Sequence, residues 1–533
     1  MDSGRPESFC VRNVNYLFRN TTHILQDIIR ICGYHGSIKR KGTEDMKKIL
    51  SILTAACICV TGLAACGTGS AGTSSQEDSS ILAKEDLKLT ESVSDDSEGG
   101  HAIENDGEEK EYSNTEVTKT GDSESEDADF YGENSAVFTS NKGTTTLSDM
   151  YIDTDGRHAN AVFAYGEDTV VNISHSVIET AGNNSGGLMT TGGATMNAED
   201  LTIHTTGNSS AAIRSDRGGG TVTVTGGNYT TEGTGSPVIY STADITVSNA
   251  NLTSTASEGV VVEGKNSVTL NDVDLVADNN KQNSDKTENL EAVMIYQSMS
   301  GDADTGKASF SMNGGTLTNK NGDVFFVNNT IAEINLDNAK IMNEDEDGVF
   351  LRAEAAGWGT EGSNGGQVTL NAKDQTIDGD IVVDKVSNLN LIMSGDSTLN
   401  GAVNTDDQDG EIYVELTDGA KWTLTADSYI SSLTCDEDSI DLNGHKLYVD
   451  GKEYKAGTSS KGEAIEQKAS EQGGEKPSGE PPEMGDGEKP SGDPPGEPPE
   501  GGEKPSGEPP SGEPPERPDD SGTQKSDSGQ DKS

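Results

Sequence analysis

The stretch Asn343–Glu354, NEDEDGVFLRAE, concentrates oxygen ligands. Asn343, Asp345, Asp347 and Glu354 stand at positions 1, 3, 5 and 12 of a calcium-loop frame, with Gly348 at position 6. Clustered carboxylate and amide oxygens suit a hard cation. The flanks INLDNAKIM and AAGWGTEG have no helical periodicity, so a calcium site here would be a turn outside the helix–loop–helix motif. A solvated acidic turn is the plainer reading. A second cluster, IRSDRGGG, brings Arg214, Asp216 and Arg217 together, and Arg352 lies close in sequence to Asp347. Carboxylates beside an arginine base are the parts needed for metal-assisted cleavage of an acidic polymer. Surface ion pairs are the plainer reading. His101, His158, His175, His204 and His445 are scattered without metal-ligand spacing. Phosphate loop and serine elbow motifs are absent.

These groups need a scaffold, and the composition narrows which one. The chain has 533 residues, a formal net charge of −54, 31% hydrophobic residues and 64 glycines. Such an excess of acid excludes the basic patches that nucleic-acid binding requires. It suits a soluble, cation-attracting surface protein. From Met46 the sequence reads MKKILSILTAACICVTGLAACGTGS. Two lysines, a short apolar core and Leu63-Ala64-Ala65-Cys66 resemble a bacterial lipoprotein signal with its lipobox. That resemblance implies lipidation at Cys66, a membrane anchor at the N-terminus and display on the outer face of the cell membrane. Of six cysteines only Cys66 and Cys435 would then remain, which rules out a disulfide framework.

The domain boundaries follow from shifts in composition. Residues 1–45 read as an over-extended start and 46–65 as the signal peptide. Residues 66–128, rich in Ser, Glu, Asp and Thr, read as a disordered acidic linker. Residues 458–533 read as an extended Pro/Gly/Glu-rich tail with recurring GEKPSG and GEPP, holding all but Pro6 and Pro237 of the 16 prolines. Between them, in 129–457, an apolar-x-apolar pattern ends at Ile173, Met196, Val224, Val247, Leu270, Met312, Leu336, Leu370 and Leu391, mostly about 23 residues apart. Short strands at a fixed period predict a β-solenoid. Small polar residues follow the pattern, Asn271 and Asn313 among them, and are expected to stack as a ladder. Trp422, Leu424, Tyr429 and Leu433 are expected to pack as a cap over the last coil.

The coils resemble a right-handed parallel β-helix of the pectate-lyase-like type. Together with the lipobox and the GEPP tail, they look like the surface lipoproteins of clostridia-type bacteria that carry carbohydrate-binding β-helix domains. The fold class expected is therefore all-β. The Trp-x-Asp-His and Arg-x-Pro-x-x-Arg patterns of the pectate-lyase family are missing. A second strand aligns in each coil, with a central column of Phe163, Leu188, Ile213, Ile239, Val261, Met294, Phe325 and Phe350. Its neighbours are also apolar, as in SPVIYST at Ser236–Thr242, so both faces of this sheet need cover or a partner. Arg214, Tyr240, Phe326 and Arg352 are the expected glycan-contacting residues on its outer stripe. A loop covering that stripe is the alternative.

Three functions stay open. The first is a non-catalytic polysaccharide-binding surface lipoprotein, with calcium as the one cofactor the sequence suggests. The second is an adhesin with a protein partner, and the third a polysaccharide lyase or hydrolase. An aromatic platform over a groove would favour the first, and a flat apolar stripe the second. Acidic residues on adjacent turns facing an arginine in a cleft would favour the third.

Overall fold

The computed structural model describes residues 81–467, apart from 126 and 406–409. The signal segment, Cys66 and the tail beyond residue 467 lie outside the described residues. The chain coils into a parallel β-helix. Up to Asn343 each turn contributes one strand to each of three sheets, in the order second, third, first; from Thr376–Asp378 to Ile440–Asp441 a separate four-stranded sheet follows. The first sheet runs from Glu91–Asp95 to Lys340–Asn343, the second from Ile103–Asp106 to Ile381–Val383, and the third from Glu109–Ser113 to Ser432–Thr434. Strand pairings are parallel except the last, between Leu447–Val449 and Lys452–Glu453, where an antiparallel hairpin ends the stack.

Alternation along the strands builds the core. In the third sheet Val171, Met196, Val222, Ile245 and Val268 stack inward in register, while Asn172, Asn197, Thr223, Thr246 and Thr269 point to solvent. Between the third and first sheets one residue per turn takes a left-handed conformation: Asp149, Asp200, Asn249, Asp272, Asn338 and Asp374 have φ of 49–55°. Asn and Asp tolerate that region best among residues with a side chain. Gly226 and Gly314 occupy the same rung in other turns. The expected amide ladder is present just before this turn: Asn313 Nδ2 donates to Asn271 Oδ1 at 2.9 Å, and Asn271 Nδ2 to Ser248 Oγ at 3.2 Å. Asn197 and Asn371 belong to a neighbouring ladder two positions earlier, bonded to Asn172 and Asn335. A slip of two leaves the face unchanged, so the core assignment survives it.

A different ladder closes the corner from the first sheet to the second. Thr180, Thr205 and Thr231 donate their hydroxyls to the carbonyls of Ser185, Ser210 and Ser236 at 2.6–2.7 Å. Those serines donate in turn to the carbonyls of Gly156, Gly182 and Gly207 in the turn before. The repeated unit is Thr-x-Gly-x-x-Ser. At the far end, Trp422, Leu424 and Leu433 are buried as a cap, with Trp422 Nε1 donating to Gly401 O at 2.9 Å. Tyr429 instead stacks outside on Tyr448, ring centroids 4.9 Å apart.

Three expectations are corrected. The acidic stretch read as linker through residue 128 is folded from Lys84 onward, with strands Glu91–Asp95, Ile103–Asp106, Glu109–Ser113 and Thr115–Lys119. A terminal coil needs few inward apolar residues, here Val93, Ile103 and Val117, because the neighbouring turn supplies the backbone hydrogen bonds. Past residue 457 the chain still pairs, Ser460 bridging Cys435 and Ile465 N donating to Asn390 Oδ1 at 2.8 Å. The second-sheet alignment is shifted by one in several turns. Val162, Leu188, Ile213, Ile239, Val260, Val293, Phe325 and Leu351 form the inward column, whereas Phe163, Val261 and Met294 point outward.

Candidate functional site

The outward column of the second sheet runs Phe138, Phe163, Met189, Arg214, Tyr240, Val261, Met294, Phe326, Arg352 and Val382. The four residues expected to face a glycan thus share one column, Arg214 beside Tyr240 and Phe326 beside Arg352. Most of this column is covered. At one end the short helix Asp127–Tyr131 lies over Phe163 and Met189, with Phe130 O accepting from Thr191 Oγ1 at 2.7 Å. At the other end, insertions at 279–290 and 354–366 lie over Val261, Met294 and Phe326, and Gly357 N donates to Lys286 O at 2.7 Å between them. Trp358, from the later insertion, sets its ring edge-on to Tyr296 at 5.1 Å.

Between these covers the sheet opens into two adjoining cavities that share Ser209, Gly235, Pro237 and Tyr240. The larger, about 600 Å³, is walled by Tyr240, Val261, Met294, Tyr296 and Trp358, by the 281–290 insertion, and by Glu258 and Glu291. The smaller, about 260 Å³, is lined by Phe130, Arg214, Asp216 and Asp302.

Burial places each expected residue differently. Phe326 is 0% exposed and lines neither cavity, so it supports the groove from beneath. Arg352 is tied to Asp323, Nε to Oδ2 at 2.5 Å, and to Glu354 at 3.5 Å, so its guanidinium is already engaged. Arg214 pairs with Asp216 at 2.9 Å and Asp129 at 3.8 Å. Burial would lower the Arg214 pKa, but Asp129 and Asp216 outweigh it and raise it. Burial likewise raises the Asp216 carboxyl above the usual range despite Arg214. Tyr240 is half-buried, and its hydroxyl donates to Glu263 Oε2. Of the four, Tyr240 and Arg214 are partly exposed on a cavity wall, and Tyr240 alone borders both cavities.

The acidic turn of the calcium reading is bonded largely within itself and to Gly322. Asp345 accepts the backbone N–H of Gly322 at 2.7 Å and of Asp347 at 3.0 Å, and these bonds hold its carboxyl below the ordinary value. Asn343 accepts from Asn319 and donates to Gly322 O. Glu354 lies beyond the next strand, held by Arg352 and Asn289. Asn343, Asp345 and Glu354 are thus spent on turn closure and ion pairing, and Asp347 stands exposed on the turn. Among the described residues, no group of three or more His, Cys, Asp or Glu is placed to hold a metal ion.

The carboxyl groups that do converge were not singled out from the sequence. Glu291 and Asp323 pair in register at the start of the second-sheet strands, and Glu258 occupies the same rung one turn earlier. In preceding turns that rung holds Ser135, Asn160, Gly186, Ala211 and Pro237. A run of three acids at a position otherwise small or neutral was the available signal. Glu258 accepts Ser257 Oγ and, at 3.4 Å, Asn283 Nδ2. Asp323 is ion-paired with Arg352. Glu291, between them, is 1% exposed, and its Oε2 has no hydrogen-bond partner. Burial, then the nearby Glu258 and Asp323, push its carboxyl well above the usual range. Burial also raises Glu263, opposed by hydrogen bonds from Ser298, Tyr240 and Tyr296. No family model matches the chain, and no curated protein or solved structure matches it either.

Proposed function

We propose that this chain is a bacterial surface lipoprotein that binds a polysaccharide in the groove over its second sheet. The observation that carries this reading is the grouping of Tyr240, Tyr296 and Trp358 around one cavity of about 600 Å³. Aromatic faces stack on the C–H surfaces of sugar rings, and the hydroxyls and amides of Asn208, Asn283, Ser284 and Asn289 supply hydrogen bonds to sugar hydroxyls. The groove crosses successive turns about 4.8 Å apart, so an extended polymer meets a repeated wall. Carboxyl groups line it and the net charge is −54, which favours a neutral polysaccharide over an acidic one. The outer column of the second sheet is under cover, so it does not offer the flat apolar stripe that the adhesin reading requires.

Affinity electrophoresis of the full-length protein through gels containing neutral or acidic polysaccharides tests the proposal. Retardation by at least one neutral glycan is expected, weakened severalfold by Trp358→Ala and by Tyr240→Ala. Retardation that both substitutions leave unchanged would refute this groove as the binding site. Membrane display rests on the resemblance of Met46–Cys66 to a lipoprotein signal and is tested through Cys66.

A further inference from the structure

We infer that the groove also cleaves the polymer it binds, by hydrolysis, with Glu291 as the acid and Glu258 as the nucleophile. This rests on the glycan-binding reading of the same groove. Three features of the site point to it. Glu291 is buried yet lines the larger cavity, and its Oε2 meets no protein donor or acceptor. A buried polar atom left without a partner is costly, and it is retained where a ligand completes it. Second, the flanking rungs have separate tasks. Asp323 is locked to Arg352, whereas Glu258 accepts only from Ser257 and a long contact from Asn283. Third, adjacent rungs stand about 4.8 Å apart. Side chains from adjacent rungs can therefore reach the separation of roughly 5–5.5 Å that the two carboxyl groups of a double-displacement glycosidase need.

A glycosidic bond lying along the ladder has one carboxyl at each end of the line of attack. An oxygen of the Glu258 carboxylate bonds to the anomeric carbon. The bond from that carbon to the bridging oxygen breaks, and its electron pair stays on the oxygen. That oxygen takes the proton of Glu291 Oε2 and leaves as a sugar hydroxyl. Water then attacks the anomeric carbon, gives its proton to Glu291, and releases Glu258 as a carboxylate. The sum is one water consumed and one glycosidic bond opened, with both carboxyl groups restored. Asp323 is a positioning residue: its charge, fixed by Arg352, favours the protonated state of Glu291.

The full-length protein is incubated with each polysaccharide that retards it, and new reducing ends are counted. Wild type releases reducing ends, and Glu291→Gln and Glu258→Gln each lower the rate about 10²- to 10⁴-fold while gel retardation is kept. Asp323→Asn shifts the high-pH limb of the rate profile to lower pH. Retardation without release of reducing ends overturns the inference and leaves the binding reading intact. Equal rates in wild type and Glu291→Gln, or unsaturated products in place of reducing ends, also overturn it. Absence of retardation on every glycan overturns both.

Discussion

Replacing Gly207 with alanine separates two opposite expectations. Gly207 has no left-handed backbone conformation, and at such a position Gly→Ala ordinarily stabilises by about 0.4–1 kcal/mol through the unfolded chain. The corner ladder reverses the sign. An added Cβ would stand 1.8 Å from the carbonyl oxygen of Gly182, 2.5 Å from its carbon and 2.9 Å from Ser210 Oγ. The carbonyl cannot swing away, because Ser210 Oγ donates to it at 3.1 Å. Nor can the Gly182 backbone retreat, since a Cβ built there would already lie 2.0 Å from Gly156 O. Relief requires prising two turns apart, and overpacking of this kind costs about 1–3 kcal/mol. Losing the Ser210 hydrogen bond adds about 0.5–1.5 kcal/mol. Against the entropic gain, the net expectation is destabilisation by about 1–3 kcal/mol. Urea unfolding of the full-length protein, followed by circular dichroism, should show a lower midpoint with an unchanged slope. Hydrogen exchange should accelerate first in the turns of Gly182 and Gly233. A raised or unchanged midpoint would refute the ladder argument.

Other perturbations test the rest of the structure. Trp422→Ala, which removes the fully buried indole and its bond to Gly401, should cost about 3–5 kcal/mol in the same urea assay and expose the last coils to proteolysis. Glu291 keeps its proton in the folded state above the unfolded value of 4.5, so wild-type stability should fall as pH rises from there through the raised folded value. Melting curves of Glu291→Gln should show a smaller loss over that window; identical pH slopes would contradict the buried proton. Cys66→Ala should abolish palmitate labelling and release the protein from membranes, and unchanged retention would remove the lipid anchor from the proposal.

The solenoid was legible because one face of the third sheet meets water, so Met196, Val222 and Ile245 alternate with polar neighbours and the period stands out. The second sheet was harder for the opposite reason. Both of its faces are covered, so runs such as Val260–Val262 are apolar at every position, and a slip of one residue changes nothing in the pattern. The first coil was lost because a strand such as EKEYS, Glu109–Ser113, presents charge outward and is held by backbone pairing to Thr144–Ser148. Tyr240 was found because it breaks an apolar column. Trp358 and Glu291 were not, because their meeting depends on an insertion more than sixty residues from Glu291's strand folding back across the sheet, a path that local pattern does not encode.

The place of the groove follows from the ladder that ends beside it. Gly121, Gly156, Gly182, Gly207 and Gly233 stack at one corner, each backed onto the carbonyl of the turn before, and this close contact leaves no room for an inserted residue. The next turn breaks the series: Ser254-Thr255-Ala256-Ser257 closes more tightly, with Ser254 Oγ donating to Ser257 O at 2.6 Å. One turn later the corner is released altogether into the 279–290 insertion that walls the cavity. The first acidic rung, Glu258, appears at that same break, and Glu291 and Asp323 follow in register. In the tight turns the rung lies against packed backbone, where a carboxyl would be buried with no partner and no solvent. Once the corner opens, the same rung looks into a cavity, and acids become tolerable there. The opened corner, the insertion over it and the acidic rung thus fall within the same three turns, with Glu291 at the opening itself. The strand register beneath continues unbroken through all three.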